Sequence, residues 1–498
     1  MSRARGLLSA ALALAVGALA VVGDVVPDAA ATDAPVAATA PVVPTAGGTV
    51  CPLGDVGDGA ELDVVLAAPD AAGTAADAAS PARATAVVLG ERPSRTAPAP
   101  LAPGDVVVVG ADVAPGGSTW VGWADAPVVA WREGRRPGAP GSPRGRAAGA
   151  CVRADATTWH VVGMRTDGGA EARLRFANPF AVDATLAVTL ITTEGDVAPI
   201  ALQNLSVPAG GTTDLRVNDH VPERPDVAAV VRVTSGRAAV EGLQLALAGV
   251  GGVDGVAFVP AATGTATTWT LPWLPAAGDA WVWVLNPSDR DVELEVTVHG
   301  TDAPGLAPGI EDVAVPAGRL VRVPAADLLP RGADAVGVTL RSPTDPVVVA
   351  GGLWLDPGDA AASGLTVLPA LPADDPVWLV AGVAGEGRRE AVQVVNVDAG
   401  AVTAVLTLRG ADGDARELPP VTVPAGGRAE VVLPLVADTG WAVEVRAAGP
   451  VVVARTGLGS GAPDPVAAAG VPSRAWRAVD GGTVGVRRDG WTLRGPLP

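Results

Sequence analysis

The residues able to carry out chemistry are few in this chain, and their spacing suits no common reaction. Three His (160, 220 and 299) and two Cys (51 and 151) stand among 498 residues. Nucleophilic catalysis needs a His beside a Ser or Cys, itself oriented by a third group, and none of the three His lies in such a motif. Gly459-Ser460-Gly461 lacks the spacing of a nucleophile elbow, no H-E-x-x-H occurs, and Gly-rich pairs such as Gly251-Gly252 read as turns rather than phosphate loops. Two Cys and three scattered His make no ligand-spaced cluster, so neither a metal nor a cofactor is expected. The 53 acidic residues leave a carboxylate pair as the one open route to hydrolysis. The expectation is a protein without catalytic residues, with a glycan hydrolase carrying β accessory units as the least favoured reading.

Binding chemistry has two candidate sources. Trp281 and Trp283, in W-V-W-V, project from the same face of one strand, and Trp120, Trp123 and Trp131 cluster further upstream. Exposed, such rings would make a sugar platform. The chain has no Tyr and only three Phe, however, so its thirteen Trp are also needed to fill cores. The second source is Arg132, Arg135, Arg136, Arg144 and Arg146, five cations within an acidic protein that could meet an anionic wall polymer or a lipid head group. All 35 basic residues are Arg, which reads as codon bias from a G+C-rich genome and favours a solvated Pro/Gly loop for this stretch.

The elements that must position these residues come from an internal repeat. Trp159, Trp269 and Trp378 are spaced 110 and 109 residues apart, and V-P-A-G recurs at 207–210, 315–318 and 423–426. Asn178, Asn286 and Asn396, three of only five Asn, follow the Trp landmarks by 17 to 19 residues. Each Asn ends an apolar run and is read as a turn-former, not a ligand. The runs between landmarks read as strands, most clearly Val292–Val298, where apolar and polar residues alternate. The fold class expected is all-β, a tandem array of about four antiparallel immunoglobulin-like sandwiches, with a β-propeller as the alternative.

The expected boundaries are a signal peptide or N-terminal anchor at 1–31, a linker at 32–48, a degenerate unit 1 at 49–156, unit 2 at 157–266, unit 3 at 267–375, unit 4 at 376–475 and a closing β tail at 476–498. Cys51 takes a Trp position by spacing, and a Cys51–Cys151 disulfide would tie unit 1 at both ends. Each unit's last strand would be completed by the next Trp segment, beginning for the tail at Ala475-Trp476.

Arg3 and Arg5 precede the apolar run Leu7–Val22, the layout of a secretory signal, so export is expected and membrane attachment only through that segment. A formal net charge of −18 and a pI near 4.6 argue against a nucleic-acid partner. With Cys51-Pro52 early, Cys151 shortly before the Trp159 strand, and Asn-Pro-type β units following, the chain resembles the actinobacterial secreted proteins grouped as domain of unknown function 5719. The resemblance implies a Gram-positive cell envelope and carries over no catalytic residue. The expected role is an envelope scaffold, adhesion or accessory protein whose partner is an envelope protein or wall polymer; a wall-carbohydrate-binding array is the alternative. Oligomeric state is not legible.

Overall fold

A computed structural model describes residues 46–476 apart from 53–59, 70–80, 90–93, 96–98, 111–116, 138–142, 248–252, 277, 302–303, 307–311, 356–363, 373, 386, 436–438 and 460–464. The signal or anchor segment, most of the linker and the tail beyond Trp476 lie outside these residues.

Nearly every apolar run forms a strand, and the strands build two antiparallel sheets per unit. In unit 2 one sheet is ordered Gly195–Val197, Ala184–Thr192, Val227–Ser235, Thr158–Met164, Ala261–Ala262. This is the Trp sheet, named for Trp159. The other, the Asn sheet, is ordered Thr212–Arg216, Ala170–Ala177, Ala239–Ala246, Gly255–Val259. The same order recurs in unit 3. In unit 4 one continuous strand, Gly440–Gly459, passes from the Trp sheet into the Asn sheet. Because the chain alternates between sheets as it leaves each Trp strand, neither sheet is an independent blade, and each unit is a sandwich. Unit 1 has the same plan, from Ala46–Cys51 to Gly145–Ala150.

The Asn and V-P-A-G landmarks are two halves of one device. The Asn178, Asn286 and Asn396 amides donate to Val207, Val315 and Val423 O, the first carbonyl of each V-P-A-G, at 3.2, 3.0 and 3.2 Å. The same amides reach Val182, Arg290 and Gly400 O, four residues on. Each side-chain carbonyl accepts the N–H two residues later. Gly210, Gly318 and Gly426 close the turns at φ of 64, 64 and 58°, which Gly adopts at little cost. All three Asn are fully buried, so a partnerless amide there would be costly.

Several sequence expectations change. Residues 46–48 are not linker: Ala46–Cys51 is the first strand of unit 1. Strand register puts Thr49, not Cys51, in the Trp position, since Thr49 pairs with Val121 as Trp159 pairs with Val231. Cys51 lies two residues further on the same face, and spacing alone could not see that slip. Each unit also completes itself: Ala261–Ala262 pairs with its own Trp strand, Leu371 bridges Thr270, and Val471–Pro472 pairs with Trp378 and Leu379. Trp476 ends a helical turn, Ser473–Trp476, and starts no strand. Asp375 fixes this turn, accepting from Ser473 Oγ at 2.7 Å and from the Arg474 N–H at 3.2 Å.

The four sandwiches close into a ring. The Trp sheet of each unit packs on the Asn sheet of the next, and the Trp sheet of unit 4 packs on the Asn sheet of unit 1. The innermost strands, Gly145–Ala150, Gly255–Val259, Gly364–Pro369 and Val466–Ala469, pack each against the next and the last against the first. These are free edges of the Asn sheets, and ring closure covers them. Small residues allow the approach: a Cβ on Gly255 would lie 2.7 Å from the Leu365 backbone N.

Candidate interaction sites

The residues singled out for binding hold the ring together. Trp281 and Trp283 are 0% and 1% exposed and fill the seam between units 2 and 3. Trp283 Nε1 donates to Asp226 Oδ1 of unit 2 at 2.7 Å, and the two rings meet edge-on at 5.2 Å. Arg322 lies 4.4 Å over the Trp281 ring, and Arg165 of unit 2 lies 4.3 Å over Trp354, so cations already occupy ring faces a sugar would need. Trp131 is 1% exposed and packs against Leu379, Ala381 and Ala442 of unit 4. Trp123 is half-buried against the unit 1 core with Cys51 and Cys151, and Trp120 packs towards unit 2. The sugar-platform expectation for Trp281, Trp283 and Trp131 is therefore corrected: the outer face of each sheet is an inter-unit seam, and burial there is worth more than exposure. Trp159, Trp269 and Trp378 are buried core residues.

The Arg132–Arg146 stretch is also not one solvated loop. Val129–Arg136 and Gly145–Ala150 are paired strands, with residues 138–142 of the connection outside the described set. Arg132 is buried in an ion pair with Glu241 of unit 2 and lies 4.1 Å over Phe258. Arg146 is mostly buried and reaches Glu133 Oε1 at 3.3 Å. Neither is available to an external polymer. Arg136 is half-buried on its strand, while Arg135 and Arg144 are exposed, 3.7 Å from Glu61 and Asp254.

Sequence reasoning missed the densest charge cluster, at the closing seam between units 4 and 1. Glu133 of unit 1 accepts from Arg455 Nη2 at 2.9 Å, Arg388 Nη1 at 3.2 Å and the Val383 N–H at 3.1 Å, all from unit 4. Arg455 also donates to Glu390 at 3.0 Å, and Arg388 pairs with the same carboxylate. Burial alone would raise the Glu133 carboxyl, but Arg455, Arg388, the Val383 N–H and Arg146 overcome it and hold it at about 2. For Arg455 burial pulls down while Glu133 and Glu390 win and raise it. Asp63, opposite Glu133 on the neighbouring strand, is pushed up by burial and then by Glu133. No spacing rule joins Glu133 to partners 250 to 322 residues away.

The seam between units 3 and 4 has a directed polar chain. His299 Nδ1 lies 2.7 Å from Gly426 O, which can only accept, so Nδ1 carries the proton and Nε2 accepts from Thr339 Oγ1 at 2.7 Å. Thr339 Oγ1 lies 2.8 Å from Thr270 Oγ1, which then donates to it. Burial lowers the His299 pKa against the opposing pull of the Gly426 carbonyl. Among the described residues no three His, Cys, Asp or Glu side chains converge to hold a metal. Cys51 and Cys151 form a disulfide, with Cα atoms 4.5 Å apart, across unit 1 from its first strand to the segment after its last.

Residues 136–374 match the model of DUF5719, a family of unknown function, so the resemblance read from the sequence is shown over the end of unit 1, all of unit 2 and unit 3 up to residue 374. No curated protein matches the chain. Among solved structures, Thermotoga maritima 1070 is similar at 13% identity over 20% of this chain and 94% of its own, with a TM-score of 0.18. A Bacteroides uniformis beta-glucuronidase 2 matches at 10% identity, covering 41% of this chain and 26% of the enzyme, with a TM-score of 0.12. A Streptomyces avermitilis alpha-L-rhamnosidase matches at 11% identity, covering 82% and 55%, with a TM-score of 0.15. Likenesses this weak decide neither fold nor function.

Proposed function

We propose that this protein is a non-enzymatic, extracytoplasmic scaffold or accessory component of a cell envelope, binding a protein partner through rim loops and outer strand edges. The observation that carries the reading is the ring itself. Its sheet faces are spent on inter-unit seams, leaving loops and outer edges as the accessible surface, and the Trp residues that could read a glycan are largely consumed in packing. The Cys51–Cys151 disulfide supports an oxidising compartment, and the leader-like sequence at 1–31 supports export.

Co-sedimentation of the full chain with purified cell-wall sacculi, untreated or stripped of attached proteins, tests this. Retention on untreated sacculi alone is expected. Equal retention on stripped sacculi would replace the protein partner with wall glycan, and absence from both would remove the envelope role.

A further inference from the structure

On the Asn sheet of unit 4 a hydroxyl, an amide and a carboxylate meet where water is excluded. Gln393 is 0% exposed and Thr456 4%. Gln393 Nε2 donates to Thr456 Oγ1 at 2.9 Å and to Glu430 Oε2 at 3.0 Å. Three adjacent strands supply these groups. Gln393, in Arg388–Asn396, stands opposite Glu430 of Arg428–Val432 on one side; on the other it lies diagonal to Thr456 of Gly440–Gly459, which stands opposite Ala391. The three side chains share the sheet face that packs on unit 3, where a Cβ added to Gly337 would lie 2.8 Å from Val395 of that face. Glu430 is 23% exposed, which gives the cluster one wet end.

These partners set Gln393 apart from the other two Gln of the chain. Gln203 and Gln244 donate only to backbone carbonyls, and Gln244 Oε1 accepts from the Arg165 N–H. Backbone groups hold an amide in place but do not react with it. Gln393 faces a hydroxyl instead, and its buried Oε1 has no hydrogen-bond partner among the described residues. Nothing therefore fixes the carbonyl end, and the last torsion of a Gln side chain is broad, so the amide can turn its carbon towards Thr456 Oγ1 without giving up a bond at Oε1.

Acyl transfer needs a nucleophile held beside a carbonyl carbon, a group to carry its proton, and exclusion of the water that would compete. We propose that Gln393 and Thr456 join through an intramolecular ester, which the chain forms on itself with Glu430 as the proton carrier. Thr456 Oγ1 bonds to Gln393 Cδ and the Cδ–Nε2 bond breaks. Glu430, already in contact with the leaving nitrogen, accepts the Thr456 hydroxyl proton and passes it to Nε2, which departs as ammonia. The carboxylate is regenerated, and no oxidant, cofactor or external reactant is consumed. The ester ties Arg388–Asn396 to Gly440–Gly459 in the last unit, as the Cys51–Cys151 bridge ties the first, so both units at the closing seam carry a covalent staple. The assignment is independent of the envelope role.

The intact mass of the purified full chain is measured after reduction of its disulfide. A mass about 17 Da below that of the sequence from the observed N-terminus, the loss of one ammonia, is expected. Tryptic digestion should then yield peptides 390–409 and 456–474 as one joined species. Thr456→Val removes the nucleophile and should show the full mass and two separate peptides; should that variant not fold, the joined peptide of the wild type still decides. Glu430→Gln, which keeps the side-chain shape, should leave most chains at full mass. Full mass in the wild type, an undiminished loss in Thr456→Val, or a loss mapped to other residues overturns the ester. Equal conversion in Glu430→Gln overturns the role given to Glu430.

Discussion

Replacing Glu133 with Gln should loosen the ring where it closes. The change keeps the side-chain shape but leaves Arg455, Arg388 and Arg146 facing Glu390 alone, all four largely buried. Breaking a buried ion network by removing one partner costs about 3–5 kcal/mol. The carboxyl itself gives a second measure: held at about 2 instead of the ordinary 4.5, it favours the closed form by roughly 3 kcal/mol. Because the closed-state pKa is depressed, that contribution is present above pH 4.5 and is lost as pH falls towards 2. Hydrogen exchange near neutral pH, read on Val129–Arg136 and Arg388–Asn396, should therefore speed up about a hundredfold or more, while Ala170–Ala177 in unit 2 keeps its protection. The control is Glu295→Gln, whose partner Arg341 is 59% exposed and whose loss should cost under about 1 kcal/mol. If Glu133→Gln moved the seam strands no more than this control, the seam would be held by Val65, Trp131, Leu379 and Ala442, and the electrostatic account would be refuted.

Asn286→Ala strips the turn of donors to Arg290 O and Val315 O and of the acceptor for the Ser288 N–H, and should cost about 2–4 kcal/mol in urea unfolding; a loss under about 0.5 kcal/mol would reject the device. Since burial lowers the His299 pKa, the open chain takes up the proton first, so stability at the seam of units 3 and 4 should fall as pH drops below about 6.5. His299→Gln should flatten that part of the pH profile of Tm, and an unchanged slope would assign it elsewhere.

The parts of this fold legible in the sequence are those made by local chemistry repeated in place. Asn and V-P-A-G recur because each pair must meet across the same turn, so their spacing survives from unit to unit. The Cys51–Cys151 bridge was legible from number and compartment, but the role of Cys51 was off by two positions because unit 1 lacks both the Trp and the Asn that set register, with Thr49 and Ala68 in their places. The seams were not legible. The strand position opposite the residue four before each Asn holds Arg132 and Arg455 in units 1 and 4 but Gly242 and Gly351 in units 2 and 3. A periodic reading averages such differences away, and it likewise treats Trp281 and Trp283 as one exposed or buried pair without knowing that a neighbouring unit covers them.

The uneven distribution of charge has a physical logic. Units 2 and 3 are neighbours in sequence, so their seam forms at high effective concentration and can rely on large apolar rings. The closing seam joins residues 250 to 322 positions apart, and around Trp131 and Leu379 its faces are mostly small residues such as Val65, Ala67, Ala381 and Ala442, which add little shape to fix a register. It also faces a competitor, since the Trp sheet of unit 4 could dock on unit 1 of a second copy and propagate a head-to-tail filament. A buried network adds little net stability over an apolar one of the same shape, but it penalises misregistered arrangements by leaving charges unpaired. Glu133, with Arg455 and Arg388 converging on it, places that penalty at the closing seam, beside the packing of Trp131, while the consecutive seam of units 1 and 2 carries one buried pair, Arg132–Glu241, and that of units 2 and 3 relies on the rings of Trp281 and Trp283.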